Sequence, residues 1–229
     1  MNDILVMLPS RGRPVKIVDS VHAWLHASSN KSDLLLCLDE DDPTLQAYKA
    51  LQLEGMGAKF RIGERLKVWP TINKVVGENP DYKYYAFIGD DHILRTKGWE
   101  DLVINKIENE GKGWGVVYGD DLFQREKLAT AVIISANIVK TLGYFALPGL
   151  IHLYPDNFWM DIGRGINRLF YMPEIIIEHM HFEAGKSPKD AQYAEVNSPE
   201  MYSHDGQIYS EWLKSGKEQD IQKLLKAMQ

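Results

Sequence analysis

Three short apolar runs, each ending in a polar cluster, constrain the fold more than any other feature. Residues 4–8 (ILVML) run into Pro9-Ser10-Arg11-Gly12-Arg13-Pro14, and residues 34–38 (LLLCL) run into Asp39-Glu40-Asp41-Asp42. Residues 84–88 (YYAFI) run into Gly89-Asp90-Asp91-His92. Each run has the length of a strand, and none alternates polar with apolar residues, so each reads as a strand buried on both faces. Helical patterns lie between them at 15–27, 44–53 and 66–76, with a further strand at 59–62. This alternation predicts an α/β protein with a mixed, mainly parallel sheet flanked by helices. Ligands of such sheets sit outside the carboxyl ends of the strands. The three polar clusters are therefore expected along one edge.

The second half is less regular. Residues 114–118 and 130–135 read as strands separated by Gly119-Asp120-Asp121, and 137–142 as a helix capped by Asn137. Tyr154-Pro155-Asp156-Asn157 forms a turn into a helix over 158–167. Short strands at 169–172 and 175–178 lead to His179-Met180-His181, and 207–228 is a helical tail. There is no internal repeat, low-complexity segment or long linker, so the 229 residues fit a single domain.

Composition narrows the function. No apolar run approaches the ~20 residues of a membrane span. The start, MNDILVMLPSRGRP, carries Asp3 and no small-residue cleavage site, so no leader is expected. The lone cysteine forms no internal disulfide, which fits a reducing cytoplasm. A net charge of −6 argues against a nucleic-acid binder working through bulk charge. Ten of the 32 acids lie at Asp39–Asp42, Asp90, Asp91, Asp120, Asp121, Asp156 and Asp161; without them, 22 acids face 26 bases. The negative charge is thus concentrated on loops and helix starts.

Asp90-Asp91 is the sharpest candidate site. Adjacent carboxylates repel unless a cation or hydrogen-bond donors intervene, and oxygen ligands on a short loop suit Mg²⁺ or Mn²⁺. A helix cap beside a solvated acid is the plain structural alternative. Of His179 and His181, only one is expected to face the site. His181, followed by Lys186, suits a metal ligand with a lysine for a diphosphate, and His179 suits a backbone-bonded histidine. Asp39 can accept a hydrogen bond from a base or a ribose, while Asp41 or Asp42 caps the next helix. Arg11 and Arg13 can meet a phosphate, stack on a base, or simply neutralise the acidic loop. Asp156, among Tyr154, Phe158 and Trp159, is the preferred general base unless it is an N-cap. Asp161, on another face of the same helix, is the second choice.

These features together resemble the metal-dependent, nucleotide-sugar glycosyltransferases of the GT-A fold, in particular small bacterial and bacteriophage members related to the inverting type. The residues carrying the likeness are Pro9 to Pro14, Asp39, Asn73, Gly89-Asp90-Asp91-His92, Asp156 and Glu178-His179-Met180-His181. It covers residues 2–190. It implies a catalytic domain over 1–195, with a nucleotide-binding half (1–110) and an acceptor half (111–195), and a helical tail over 196–229. It further implies that Pro9, Ser10 and Arg11 border the base, and that Asp39 holds base or ribose. Asp90 then faces ribose or sugar, Asp91 and His181 bind Mn²⁺ or Mg²⁺, and Asp156 deprotonates the acceptor. Arg13, Asn73 and Lys186 complete the implied donor site. The two acids stand in for an Asp-x-Asp motif, although Gly89 precedes them and they are adjacent. The implied donor is a nucleotide sugar, a UDP-sugar first, and the acceptor a hydroxyl on a glycan, nucleic acid or small molecule. A nucleotidyltransferase and a non-catalytic nucleotide- or sugar-binding module are the competing readings.

Overall fold

The computed structural model describes residues 2–188 and 191–229. In chain order the elements are β1 (Ile4–Ser10), α1 (Lys16–Ala27), β2 (Ser32–Asp39), α2 (Leu45–Ala50), β3 (Ala58–Gly63), α3 (Val68–Glu78), β4 (Tyr84–Phe87), β5 (His92–Leu94) and α4 (Trp99–Asn109). Then follow β6 (Val116–Asp120), β7 (Val132–Ser135), α5 (Ala136–Leu142), α6 (Pro155–Gly165), β8 (Leu169–His179), α7 (Ala191–Val196), α8 (Pro199–Glu211) and α9 (Lys217–Ala227). The strands form one sheet in the order β3-β2-β1-β4-β7-β6-β8-β5. β1 is parallel to β2 and β4, β2 to β3, and β6 to β8; β7 is antiparallel to both its neighbours, and β5 to β8. The expected mixed, mainly parallel sheet flanked by helices is thus the fold.

Burial on both faces explains the unbroken apolar strands. In β1, Leu5 and Met7 join a core with residues of α3, α5, α6 and α9. Ile4, Val6 and Leu8 point the other way, into a core with α1, α2 and α4. A period of two on a buried strand demands apolar residues at every position. Cys37 is buried in the first core, and its burial pushes the thiol up to about 12.

The structure departs from the sequence pattern in several places. A helix, α4, forms over a polar stretch to which no element was expected. Its fully buried apolar stripe is Trp99, Val103 and Ile107, with Ile104 partly buried beside it, and it starts at Gly98 in the left-handed conformation rather than at a side-chain cap. Buried Glu100 then ties α4 to the α1–β2 turn by accepting hydrogen bonds from Ser28, Ser29 and Ser32. The strands expected at 169–172 and 175–178 are one strand, β8, which passes β6 with a register shift at Gly119 and Asp120. Gly119 is required there, because a Cβ would lie 2.2 Å from the Ile175 carbonyl oxygen. Asn137 does not cap α5; it lies inside the helix and donates to the Gly113 carbonyl at 3.0 Å. The helix expected from 158 starts earlier, on Pro155, whose missing N–H costs nothing at a first helical position. The tail is two helices, joined by a π turn at Trp212–Gly216, and Trp212, Ile221 and Leu224 enter the first core. No helix among the described residues is long and apolar enough to cross a membrane.

Candidate functional site

The carboxyl ends of β1, β2 and β4 open into a cavity of about 300 Å³. Pro9, Ser10, Arg11 and Arg13 enter it from β1, Asp39 from β2, and Asp90, Asp91 and His92 from the turn after β4. Asp156, His179 and His181 close its other side. Sheet topology therefore brings together most of the residues singled out above.

The loop after β1 is pinned rather than free. Tyr48 of α2 shares a 2.7 Å hydrogen bond with Ser10 and accepts the Arg13 amide at 2.8 Å. Asp42 accepts the amides of Gly12 and Thr44, which joins this loop to the start of α2. Arg11 bridges Asp39 at 3.0 Å and Asp41 at 2.5 Å. Burial raises the pKa of Asp39, and Arg11 opposes that rise.

The two adjacent acids differ in surroundings. Asp90 is buried; one oxygen accepts from Ser10 at 2.7 Å and the other from Arg13 at 2.8 Å, while its carbonyl accepts from Ser20. Burial pushes its pKa up against the pull of Arg13. Asp91 faces Tyr193, whose hydroxyl donates to Oδ2 at 2.6 Å, and two imidazoles: His179 Nε2 at 3.5 Å and His92 Nδ1 at 3.3 Å. Burial works against its ionisation, yet His179 and His92 hold it well below the usual carboxylate range. Gly89 explains the departure from an Asp-x-Asp spacing, because a Cβ there would lie 2.8 Å from both Asp91 Oδ1 and His92 Nδ1.

His179 lies between Asp91 and Asp121 and stacks on His92 at 4.2 Å between centroids. Burial lowers its pKa, but the two carboxylates, at 3.5 and 3.9 Å, outweigh this and raise it to about 9. One ligand atom each from Asp91, His92 and His179 falls within 4.8 Å of the others. His92 Nε2 and His179 Nδ1 are buried without a hydrogen-bond partner among the described residues. Carboxylate oxygen with imidazole nitrogen suits Mn²⁺ better than Mg²⁺, so the residues fit a divalent transition-metal ion. His181, the expected ligand, lies outside this group; it stacks on Phe123 and accepts the Glu183 amide at 3.3 Å. Both histidines nevertheless line the cavity, 4.9 Å apart, contrary to the expectation that only one faces it. A two-residue step along extended chain returns to the same face.

Asp156 sits in the first turn of α6 and does not cap it. Tyr154 occupies the cap position with φ +68°, and the Asp156 carboxylate accepts only backbone amides at its own turn, that of Asn157 at 2.9 Å. Burial beside Trp159 raises its pKa to about 6. Five acidic residues line the cavity among the described residues: Asp39, Asp90, Asp91, Asp156 and Glu195. Four of them are held by cationic groups, and Asp156 is the exception.

Three expected site residues lie elsewhere. Asn73 faces the loop after α5, where its oxygen accepts the Phe145 and Ala146 amides and its nitrogen donates to the Ala146 carbonyl. An asparagine that satisfies three backbone groups is a loop clamp. Asp161 turns away from the cavity toward the tail, where it pairs with Lys217 at 2.9 Å and accepts from Tyr209 at 2.6 Å. The five-residue step from Asp156 places it on another face of α6. Lys186 pairs with Glu178 at 2.9 Å and lines a second, more open cavity of about 980 Å³ beside α1.

The structure adds residues that the motifs did not mark. Arg65 and Lys67, after β3, line the cavity at another strand's carboxyl end, a position where the topological rule alone would have sought them. Lys67 holds an extended left-handed backbone, φ +70° and ψ 179°, as it opens α3, a conformation that a non-glycine residue keeps only under constraint. Asp205, buried in α8, accepts the amides of Ile151, His152 and Leu153 at 2.7–3.0 Å and so fixes the segment leading to Asp156. Asp205→Ala strands three amides, and chemical denaturation is expected to show a loss of ~3 kcal/mol. A loss below ~1 kcal/mol would refute this anchoring role.

No protein-family model matches the sequence, and no curated protein matches it. Solved structures do match. S. aureus TarS superposes with a TM-score of 0.59 at 11% identity, covering 93% of this chain and 43% of TarS. TarS 1-349 in complex with UDP-GlcNAc gives 0.57 at 11% identity, covering 93% of this chain and 72% of that one. The mannosyltransferase PcManGT from Pyrobaculum calidifontis, in complex with GDP-Man and Mn²⁺, gives 0.57 at 10% identity, covering 98% and 73%. The chain thus spans less than half of full TarS, and at these identities the likeness is one of fold, which is GT-A-like.

Proposed function

We propose that this protein is a metal-dependent glycosyltransferase that moves a sugar from a nucleotide-sugar donor to an acceptor hydroxyl with inversion. The observation that carries the reading is a single cavity lined by both the Asp91–His92–His179 group and an uncompensated carboxyl, Asp156. Structures sharing the fold that hold UDP-GlcNAc, or GDP-Man with Mn²⁺, support a nucleotide-sugar donor.

Asp91 and His179 would hold the metal, with His92 as the third member of the group. A bound divalent cation supplies charge that offsets the negative charge developing on the diphosphate leaving group. Asp39 and Arg11 border the nucleoside, and Arg13 and Asp90 fix the loop between nucleoside and metal. Asp156 Oδ takes the proton from the acceptor hydroxyl as its oxygen attacks the anomeric carbon and the sugar–phosphate bond breaks. The other four cavity carboxylates are already engaged by cationic groups. The absence of an uncommitted second carboxylate among the described cavity residues supports direct displacement over a covalent intermediate.

The test is a thermal-shift panel of UDP- and GDP-sugars with Mn²⁺, Mg²⁺ or chelator, followed by transfer assays on glycan, nucleic-acid and small-molecule acceptors. A nucleotide sugar at about 100 times its Kd is expected to stabilise the protein by ~2.7 kcal/mol, with loss of the effect in chelator. Pyrophosphate release from a nucleoside triphosphate and a sugar phosphate would instead identify a nucleotidyltransferase.

A further inference from the structure

We propose that α7 is a built-in competitor of the donor: Glu195 occupies the cation pair that receives the diphosphate, and Tyr193 occupies the carboxylate that receives the metal. This rests on the donor-site reading above, extends it by giving the diphosphate to Arg65 and Lys67, which line the same cavity, and adds a regulatory contact to it. Glu195 Oε1 lies 2.9 Å from Arg65 Nη2 and 2.5 Å from Lys67 Nζ. Two residues earlier, the Tyr193 hydroxyl donates to Asp91 Oδ2 at 2.6 Å. The Tyr193 ring lies beneath the Arg13 guanidinium at 4.9 Å and packs against His181 and Phe182. One short helix thus places an anion on the Arg65–Lys67 side of the cavity and a hydrogen-bond donor on its metal-binding acid.

The chemistry of each contact mirrors that of the complex it competes with. A carboxylate between Arg65 and Lys67 offers the same charge and acceptor oxygens as a phosphate. A hydroxyl proton on Asp91 Oδ2 takes a lone pair that a cation would need. Arg65 Nε also lies 3.9 Å from Asp39, so the cation pair continues directly from the nucleoside end of the cavity. These contacts are also easily displaced. Arg65, Lys67 and Glu195 are each about a third or more exposed, and ion pairs at such positions are individually weak. A six-residue helix has little stability of its own and depends on its side-chain contacts. A nucleoside diphosphate arriving with a divalent ion satisfies both sets of partners at once, and α7 must then leave.

Calorimetric titration of UDP in the presence of Mn²⁺ into the full chain, Glu195→Gln, Tyr193→Phe and the double variant tests this. The double variant is expected to bind about tenfold more tightly than wild type, as follows if roughly a tenth of wild-type molecules have α7 displaced. Tyr193→Phe alone should lower the Mn²⁺ concentration needed, because it keeps the ring and removes only the hydroxyl. Equal or weaker binding by the double variant overturns the competitor while leaving the donor site standing. Absence of binding by every form removes the donor site and the competitor together. Hydrogen exchange provides a readout independent of charge effects on affinity. Amides of 193–198 in the wild-type chain should exchange faster once UDP and Mn²⁺ are added, and slower exchange overturns the proposal.

Discussion

Asp156→Asn is expected to leave metal-dependent UDP binding within about twofold of wild type while lowering sugar transfer by roughly 10²–10⁴-fold, the span of general acid–base contributions. The separation arises because the Asp156 carboxylate is engaged by backbone amides of its own turn and not by Asp91, Arg65 or Lys67. Burial raises it from 3.8 to about 6, which keeps it ionised at neutral pH while giving it more basicity than an exposed aspartate. Wild-type kcat/KM should therefore fall as pH drops through 6, and the residual activity of Asp156→Asn should lack that limb. Stability moves the opposite way. A carboxyl raised in the folded state contributes stability that is complete below its unfolded pKa near 4 and lost as pH rises through 6. At pH 8 the asparagine variant should be more stable than wild type by on the order of 2 kcal/mol, with the difference vanishing near pH 4. Loss of UDP binding in this variant, or retention of transfer, removes Asp156 from the role of base.

The parallel half of the sheet was legible because burial on both faces leaves a direct mark. Residues 4–8 of β1 and 34–38 of β2 must be apolar, and the chain can become polar only where it enters or leaves the sheet. That is why Asp39 and Asp90-Asp91 stand at an edge, and why an edge in such a sheet is a place to seek ligands. Elements with weaker constraints were less legible. α4 buries only Trp99, Val103 and Ile107 of its apolar residues, among charged neighbours, and β5 has only three residues, set by pairing to β8. β8 looked like two strands because Pro173 and Glu174 interrupt its apolar pattern, whereas the register shift opposite Gly119 lets the strand continue.

In the site, side chains contributed by neighbouring strand ends were legible, and those contributed by long-range packing were not. Asn73 lies on a helix that follows a site loop, but its direction is decided by the loop after α5, seventy residues away. Asp161 is likewise claimed by the tail through Lys217 and Tyr209. The reverse also holds: Tyr193, Glu195 and Asp205 belong to a segment without strand logic, yet they touch Asp91, Arg65, Lys67 and the segment before Asp156. Local pattern cannot mark a residue whose partner is set only when the tail folds back.

Asp91→Asn should lower Mn²⁺-dependent UDP binding at least about 100-fold and abolish detectable transfer. Asp91 supplies the only carboxylate of the three-residue group, and losing it leaves two imidazoles, one of them neutral and buried, facing the ion. A hard divalent ion depends on anionic oxygen far more than on imidazole alone. The adjacent Asp90→Asn provides the contrast. Asp90 already joins Ser10 to Arg13 in a buried contact, so its loss should destabilise the fold as well as weaken binding. The histidines give the finer test. His179→Ala should reduce metal-dependent binding more than His181→Ala, because His179 Nε2 lies 3.5 Å from Asp91, whereas His181 is occupied by Phe123 and the Glu183 amide. If calorimetry finds unchanged metal-dependent binding in Asp91→Asn, the metal is held elsewhere. A larger loss in His181→Ala than in His179→Ala would move the second ligand one strand-step further along the chain.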